Sequence, residues 1–133
     1  FFGEKDFQQL KILKDLKEIL DLKIEIVQCP SIRHKNGISF SSRLTKLSLM
    51  ENKILNKSAK LLRLLIKDIK LNINKVNFAY YKSTFFNIGI KQIEYLEIRD
   101  EQNLSTSLTC DNSRLFVSMY IGSIRLIDNF KLY

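Results

Sequence analysis

The sequence is poor in several residue types that carry chemistry: it has one histidine, two cysteines, one proline and no tryptophan. A single histidine, His34, excludes a two-histidine zinc site and any mechanism that needs a histidine pair from this chain. It lies in a basic loop, so we expect it to be solvated. Cys29 and Cys110 form no CxxC motif and are too few for a disulfide framework. We therefore interpret them as small apolar fillers and expect a reducing, cytoplasmic setting.

Long apolar runs are also missing. No stretch approaches the roughly 18 to 20 uninterrupted apolar residues of a membrane span. The first residues are aromatic and acidic, unlike a signal peptide, so we expect neither a membrane partner nor a secretory leader. With 45% hydrophobic and 27% charged residues, the composition is typical of one globular domain, or of a small domain plus part of another.

Positive charge is what the sequence has in excess. The net charge of +8 is compatible with nucleic-acid binding, but the lysines are spread along the whole chain and form no block of like charges. We therefore favour solvated surface charge and no nucleic-acid partner. One aromatic cluster has helical spacing, which favours core packing over base stacking on RNA; its members are Phe78, Tyr80, Tyr81, Phe85 and Phe86.

The first 29 residues have the pattern of a strand end, a helix and a second strand. Phe1 and Phe2 are typical of the end of a buried strand whose earlier part is missing. Asp6 is placed to cap a helix with its carboxylate, and apolar residues follow at helical spacing. Residues 22–27 alternate and contain β-branched side chains, which predicts a strand that ends before Pro30. This order is typical of a parallel sheet.

The remaining residues predict an α+β arrangement. Ser48 and Glu51 have the spacing of a capping box at the start of a long amphipathic helix that runs to about Lys70. A second helix is predicted over 74–88, with Gly89 just after its end. Three segments of strand character follow, and the last two flank a turn at 121–123. We predict two helices packed on a small, mostly antiparallel sheet.

Two short segments are candidates for chemistry. Gly3–Asp6 lies at a strand end and opens a helix, where backbone amides, the helix dipole and Lys5 favour an anion, and Gln9 follows one turn later. Ser41, Ser42 and Arg43 offer two hydroxyls and a guanidinium, which suit a polyphosphate. Such segments are common, so the residues alone favour an ordinary capped turn for the first and a solvent-exposed loop for the second, and leave the site interpretation open.

Four stretches, in this order and at these spacings, resemble the pantothenate synthetase (pantoate–β-alanine ligase) family: FFGEKDFQQL, IEIVQCPSIRHKNGISFSSR, YLEIRD and IGSIRLIDN. The resemblance covers essentially the whole chain, but only the carboxyl-terminal half of the family's usual length. The family is similar in fold to class I aminoacyl-tRNA synthetases and other HIGH-type nucleotidyltransferases. The resemblance implies that residues 1–29 are the tail of a Rossmann-like ATP- and pantoate-binding domain, and that residues 30–133 form a carboxyl-terminal lid domain.

The activity implied by the resemblance is an ATP-dependent ligation in two steps. The carboxylate of pantoate attacks the α-phosphate of ATP, which gives pantoyl adenylate and pyrophosphate. The amine of β-alanine then attacks the adenylate and gives pantothenate and AMP. Mg²⁺ neutralises the phosphates, and a homodimer is expected for the full-length family.

The resemblance also implies site residues. Gly3, Glu4, Lys5 and Asp6 match the family's ATP-binding segment, with Asp6 near the ribose and Lys5 at the phosphates, and Gln9 matches a pantoate ligand. Ile32 matches an adenine contact. A further stretch matches a family loop that is similar in role to the KMSKS loop of the synthetases. It consists of Phe40, Ser41, Ser42 and Arg43. The implied catalytic residues are Lys5, Ser41, Ser42 and Arg43, and no metal ligand is expected in this chain.

The sequence departs from the family at three positions: Gln28 replaces a common Gly, and Leu44 and Lys46 replace the usual Asn and Tyr. A larger difference is that the HxGH motif and the acidic residues linked to magnesium belong to the family's amino-terminal half. We therefore expect this chain to be inactive alone. The alternative is a free-standing basic module that binds nucleotide or RNA without catalysis. We interpret the RLIDN signature, Arg125–Asn129, as a structural part of the last strand.

Overall fold

The computed structural model describes residues 1–133 as a short parallel α/β part followed by an α+β part. Its regular elements in chain order are β1 (Phe2–Gly3), α1 (Phe7–Ile19), β2 (Gln28–Cys29), α2 (Leu49–Asn72), α3 (Phe78–Ile88), β3 (Gln92–Asp100), β4 (Ser113–Ile121) and β5 (Ile124–Lys131). Short 3₁₀ turns at Glu4–Asp6, Ser42–Lys46 and Ile73–Lys75 connect them. Strands β1 and β2 pair in parallel, and β3-β4-β5 form an antiparallel sheet. The predicted fold class is confirmed.

The core lies between one face of the antiparallel sheet and helices α2 and α3. Because side chains alternate along a strand, β4 directs every second residue into this core, namely Leu115, Val117, Met119 and Ile121. Helix α2 contributes a stripe at helical spacing that includes Leu55, Leu62, Leu65 and Ile69. The other face of the sheet is free of helices α2 and α3, and the start of α1 packs there through the Phe7 and Phe116 rings, 5.9 Å apart.

The predicted helix boundaries are confirmed at α2 and partly wrong at α3. Ser48 Oγ accepts from the Glu51 amide at 3.2 Å, and the Glu51 carboxylate accepts from the Ser48 amide at 2.8 Å, as a capping box requires. Helix α3 begins at Phe78 and not at 74, because the side chain of Asn77 caps it by accepting from the Tyr80 amide at 3.0 Å. Gly89, at φ +119°, ends α3 as predicted.

The strand predicted over 22–27 is wrong. Only Gln28 and Cys29 form β2, and residues 22–27 have no regular structure. The one neighbouring strand, β1, is two residues long, and Ile24 is 55% exposed. A segment with the residue pattern of a strand forms one only where a neighbouring strand supplies main-chain hydrogen-bond partners. Residues 22–27 have no such neighbour along most of their length.

The predicted side-chain cap at Asp6 is also wrong. Asp6 stands at the N-cap position of α1, but its side chain accepts no capping bond. The 3₁₀ turn before α1 places Asp6 at φ −94° and ψ 55°, away from the extended conformation of a capping residue. The carboxylate is therefore not used by the helix.

Core packing of the aromatic cluster is confirmed for two of its members and wrong for two others. Tyr81 and Phe85 are buried in the core, whereas Tyr80 is 60% and Phe86 49% exposed. Successive helical residues point about 100° apart, so the neighbours of the two buried rings face solvent. No helix combines the length and the apolar character needed to cross a membrane.

Candidate functional site

The structure brings the two candidate segments together. The Lys5 ammonium donates a hydrogen bond to the main-chain carbonyl of Phe40 at 3.0 Å, although 35 residues separate them in sequence. Gly3–Asp6 and the loop that starts at Phe40 are therefore adjacent. Sequence patterns place each segment at the end of its own element, but only the folded chain joins them.

An open groove of about 830 Å³ lies between the start of α1 and the helix-free face of the antiparallel sheet. Lys5, Asp6 and Gln9 line one wall of it, so three of the predicted site residues share one space. The opposite wall comes from the sheet and includes Asp128, the apolar Phe116 and Ile127, and four further polar residues, Tyr95, Glu97, Arg99 and Arg125. These four residues were not predicted as site residues. Their signal in the sequence is the period-two alternation of β3 and β5, which puts polar residues opposite the core face.

The second segment is more exposed than the first. Ser41 caps the 3₁₀ turn of Ser42–Lys46, its hydroxyl accepting from the Arg43 amide at 3.3 Å. Ser42 and Arg43 are exposed and line neither the groove nor the cavity beside it. That second cavity, about 660 Å³, is lined by Ser41, Phe40 and His34 among others. The predicted phosphate-binding side chains are therefore near Lys5 but do not share one cavity with it.

His34 is not simply solvated, as its sequence context predicted. Its ring stacks on Phe40 with centroids 3.7 Å apart and planes 22° apart, and the residue is half-buried. Phe40 still exposes 55% of its surface, and Ile32 exposes 75%. An exposed apolar surface therefore borders the positively charged loop.

Several cations gather around Lys5. Burial lowers the pKa of the Lys5 ammonium, and the carboxylates of Asp128 and Asp6 offset part of that effect. Arg43 and Arg33 lower the Lys5 pKa further, since like charges disfavour protonation. The positive charges of Lys5, Arg33 and Arg43 therefore repel one another. This concentration of positive charge favours a bound anion at this place.

A buried arginine anchors the Gly3–Asp6 turn from the other side. Arg114 is 2% exposed and donates to the Glu4 carboxylate at 2.6 Å, to Glu101 at 2.7 Å and to the Asn129 side-chain oxygen at 2.6 Å. Its guanidinium also lies 4.3 Å from the Phe7 ring centroid. The Glu4 side chain therefore holds the turn in place, and nothing near Arg114 in the sequence indicates this role.

The potential metal ligands of this chain are not grouped. No three histidine, cysteine, aspartate or glutamate side chains are grouped to hold a metal ion. Asp128, which lies near Lys5, already accepts from the Ser39 amide and from Arg33. Magnesium is usually held by one or two carboxylates together with substrate phosphates, so Mg²⁺ binding stays a prediction.

Comparison with known proteins gives a consistent result along the chain. The family model described as Pantoate-beta-alanine ligase matches residues 1–131. Among curated relatives, the pantothenate synthetase of Clostridium acetobutylicum is 38% identical over 137 residues, which is 98% of this chain and 47% of that protein. That of Aquifex aeolicus is 35% identical over 136 residues, or 99% of this chain and 48% of that protein. The chain thus spans about half the length of the curated relatives it matches.

Solved structures show the same likeness. The pantoate-beta-alanine ligase from Francisella tularensis, complexed with Beta-gamma ATP and Beta-alanine, has a TM-score of 0.74 at 28% identity and is matched over 98% of this chain and 42% of that chain. The pantothenate synthetase from Thermus thermophilus has a TM-score of 0.78 at 25% identity, over 99% of this chain and 49% of that chain.

Proposed function

The chain belongs to the pantoate-beta-alanine ligase family, and from this premise we propose that it is the carboxyl-terminal part of an ATP-dependent ligase that condenses pantoate with β-alanine. The observation that carries the proposal is the contact between Lys5 and Phe40 at 3.0 Å. It joins the two segments that the family resemblance assigns to ATP, at a place where basic side chains converge. The ATP- and β-alanine-bound Francisella tularensis ligase supports these two ligands.

In the proposed first step, the pantoate carboxylate attacks the α-phosphate of ATP and pyrophosphate leaves. Negative charge develops on the phosphate oxygens, and preorganised donors lower the barrier most where charge develops. We assign this stabilisation to Lys5, Ser41, Ser42 and Arg43. In the second step the β-alanine amine attacks the acyl carbon and AMP leaves, which gives pantothenate.

We assign the rest of the ATP site to residues near these donors. Gly3 and Asp6 border the nucleoside, Asp6 with a carboxylate that no helix cap uses. The exposed apolar side chains of Ile32 and Phe40 suit the adenine side. Glu4 contributes through the turn it anchors, because its carboxylate is bonded to Arg114. Gln9 lies in the groove beside Lys5, where we place pantoate.

Ser42 and Arg43 do not line the groove, so the proposed mechanism includes a closing movement. We propose that residues 30–133 act as a lid whose closure brings the 41–43 loop over the phosphates and excludes water. Residues 1–29 would be the tail of the Rossmann-like domain. Their exposed apolar side chains, among them Phe1, Ile12, Ile19 and Ile24, support a covering by further parts of that domain. Mg²⁺ binding, the homodimer and the cytoplasmic location stay predictions.

The test is to join this chain to the amino-terminal half of the Clostridium acetobutylicum relative and to measure pantothenate formation and ATP–pyrophosphate exchange. We expect the joined protein to be active and the chain alone to be inactive, because the chain by itself lacks the HxGH residues that the resemblance places in the other half. A folded but inactive joined protein would contradict the ligase assignment. Activity of the chain alone would contradict its proposed dependence on the amino-terminal half.

A second candidate function is favoured by one observation, the exposed rings of Tyr80 and Phe86 on a chain of net charge +8. Exposed aromatic rings beside lysines are the elements with which single-stranded RNA is bound. An RNA-binding module should bind single-stranded RNA with an affinity that falls steeply as salt rises. Titration of the chain with a fluorescent oligonucleotide at two salt concentrations separates the two functions, because a ligase part should show little affinity.

A further inference from the structure

Two neighbouring residues of β5, Asp128 and Asn129, tie this strand to the two candidate ATP segments: Asn129 contacts the Gly3–Asp6 turn directly, and Asp128 contacts Ser39, which directly precedes the loop of Phe40–Arg43. Asp128 and Asn129 are both polar and almost fully buried, with 3% and 1% of their surface exposed. As successive residues of a strand they point to opposite faces of the sheet. Burial of such groups is unfavourable unless their polar atoms find partners. Outside β5, the side-chain partners are Glu4, Lys5 and Arg114 for Asn129, and Ser39 and Arg33 for Asp128.

Asn129 holds the main chain on both sides of Lys5. Its side-chain amide donates to the carbonyl of Glu4 at 2.9 Å and to the carbonyl of Lys5 at 2.8 Å. Its side-chain oxygen accepts from the buried Arg114 at 2.6 Å. Both donor hydrogens of the amide are thus used on the Glu4–Lys5 turn. The direction in which the Lys5 side chain leaves the main chain is therefore set from β5.

Asp128 holds the loop that leads to the serines and Arg43. One carboxylate oxygen accepts from the Ser39 amide at 2.8 Å and from the Arg33 guanidinium at 3.0 Å, and the other accepts from the Asn129 amide at 2.9 Å. Arg33 in turn donates to the Asn129 main-chain carbonyl at 2.7 Å. Ser39 directly precedes Phe40, so the carbonyl that receives Lys5 is tied to β5 through one peptide unit.

We propose that Asp128 and Asn129 are positioning residues that set the separation between Lys5 and Phe40, from which the 41–43 loop closes over the phosphates. The proposal rests on the proposed ligase function. Neither side chain is assigned a contact with substrate: Asn129 acts through the main-chain carbonyls of Glu4 and Lys5, and Asp128 acts through the main-chain amide of Ser39, next to Phe40. The bonds form a closed circuit from β5 through the Glu4–Lys5 turn, across the Lys5–Phe40 contact and back through Ser39 to β5. Loss of either polar group opens this circuit.

The experiment uses the joined ligase described above with Asn129→Leu, which keeps the side-chain size but removes the amide, and Asp128→Asn, which keeps the size but removes the charge. Adenylate formation should fall about 100-fold in Asn129→Leu, as when a reacting group is displaced by about 1 Å, and less in Asp128→Asn. The kcat/KM for β-alanine should stay unchanged, because β-alanine enters only in the second step. Amide hydrogen exchange of residues 3–7, followed by mass spectrometry, should accelerate.

Ser118→Ala is the matched control, since it removes another buried hydrogen bond of the same sheet, from Ser118 to Glu94, without contact to either segment. It should lower Tm but leave kcat and exchange at residues 3–7 unchanged. If Asn129→Leu behaves in the same way, the positioning role is overturned. If Asn129→Leu fails to fold, adenylate formation and amide hydrogen exchange are measured on Asp128→Asn, and these two results decide whether the positioning role stands.

The outcomes also separate this proposal from the proposed function. If the unaltered joined protein makes no pantothenate, the ligase function fails, and hydrogen exchange alone then tests the positioning role. Faster exchange at residues 3–7 in Asn129→Leu, with no change in Ser118→Ala, would support it, and equal exchange in all variants would overturn it.

Discussion

Residues 1–29 and residues 30–133 differ sharply in how many apolar side chains they bury. The cluster of 20 buried hydrophobic residues lies entirely between Ile38 and Leu132, whereas residues 1–29 bury only Phe7 and Leu10. Several large apolar side chains of the first region are exposed, for example Ile19 at 78%. The first region is attached to the second by polar contacts around Glu4 and Asn129 and by packing of the Phe7 ring on Phe116 and Arg114.

This difference indicates that stability resides mainly in residues 30–133, whereas the proposed site draws on both regions. Residues 30–133 have a core of their own, so changes there should alter the free energy of unfolding. Residues 1–29 supply Lys5, Asp6 and Gln9, so changes there should alter catalysis with little effect on unfolding. Four substitutions, taken in order of decreasing effect, test this separation.

The largest effect is expected from a change in the core of the second region. Phe85 on α3 is fully buried, so Phe85→Ala should lower the free energy of unfolding by about 3–5 kcal/mol, as measured by urea denaturation. Phe86→Ala is the control, because the neighbouring ring is 49% exposed. Equal losses for the two variants would show that this core does not dominate stability.

The next effect is on catalysis and not on stability. In the joined ligase, Lys5→Ala should reduce adenylate formation by about 10²–10³-fold, as for loss of one charge-stabilising donor. Unfolding should change by less than about 1 kcal/mol, because the bond to Phe40 is exposed. Lys23→Ala serves as control, since the Lys23 side chain is 82% exposed and pairs only with Asp21. Pyrophosphate exchange at the unaltered rate would remove Lys5 from the site.

A smaller loss is expected at the β4–β5 turn. Gly122 has φ +56°, and an added Cβ would lie 2.0 Å from a Glu51 carboxylate oxygen of the α2 capping box. Gly122→Ala should therefore cost about 2–3 kcal/mol, from left-handed strain and a disturbed cap. Gly3→Ala is the matched glycine of the first region, with no atom within 4 Å of an added Cβ. Gly3→Ala should leave Tm almost unchanged. A comparable fall in Tm for Gly122→Ala and Gly3→Ala would contradict the difference between the two regions.

The smallest effect concerns pH and the contact between the regions. Burial raises the pKa of the Glu4 carboxyl, but bonding and attraction to Arg114 outweigh it, so the net pKa is lowered below its ordinary value of 4.5. Because the Glu4 pKa is lower in the folded state, the ionised carboxylate stabilises the fold above pH 4.5. This stabilisation is lost as the pH falls through the folded-state pKa. Glu4→Gln should thus cost about 1 kcal/mol at pH 6 and progressively less in acid. A Tm difference that does not change with pH would show that the Glu4 charge is not involved.

Much of the fold follows from local patterns. The Ser48–Glu51 box, the end of α3 at Gly89 and the strand periods of β3 to β5 are encoded within a few residues each, and the structure confirms them. The strand predicted over 22–27 failed because its formation depends on a partner strand and not on its own side chains. Asp6 failed as a cap because the 3₁₀ turn before it changed its main-chain conformation.

The residues of the candidate site also divide into those that local patterns predicted and those that they did not. Helical spacing placed Lys5 and Gln9 on one side, and the groove contains both. The RLIDN stretch marked Asp128 and Asn129 only as a structural part of the last strand, and Arg114 had no signal. Their contacts were not predicted, since the partners are distant in sequence. Arg114 and Glu4 are 110 positions apart, and Asn129 and Lys5 are 124 positions apart.

By itself, the sequence determined the helices and antiparallel strands of the second region, the caps that bound them and the resemblance to one ligase family. Only the tertiary structure decided which strand-like segment finds a partner, which polar side chains are buried and how the Gly3–Asp6 turn meets the loop at Phe40. The physical reason is that periodicity and capping act between residues a few positions apart. Burial and strand pairing depend on partners that the chain brings together only when it folds.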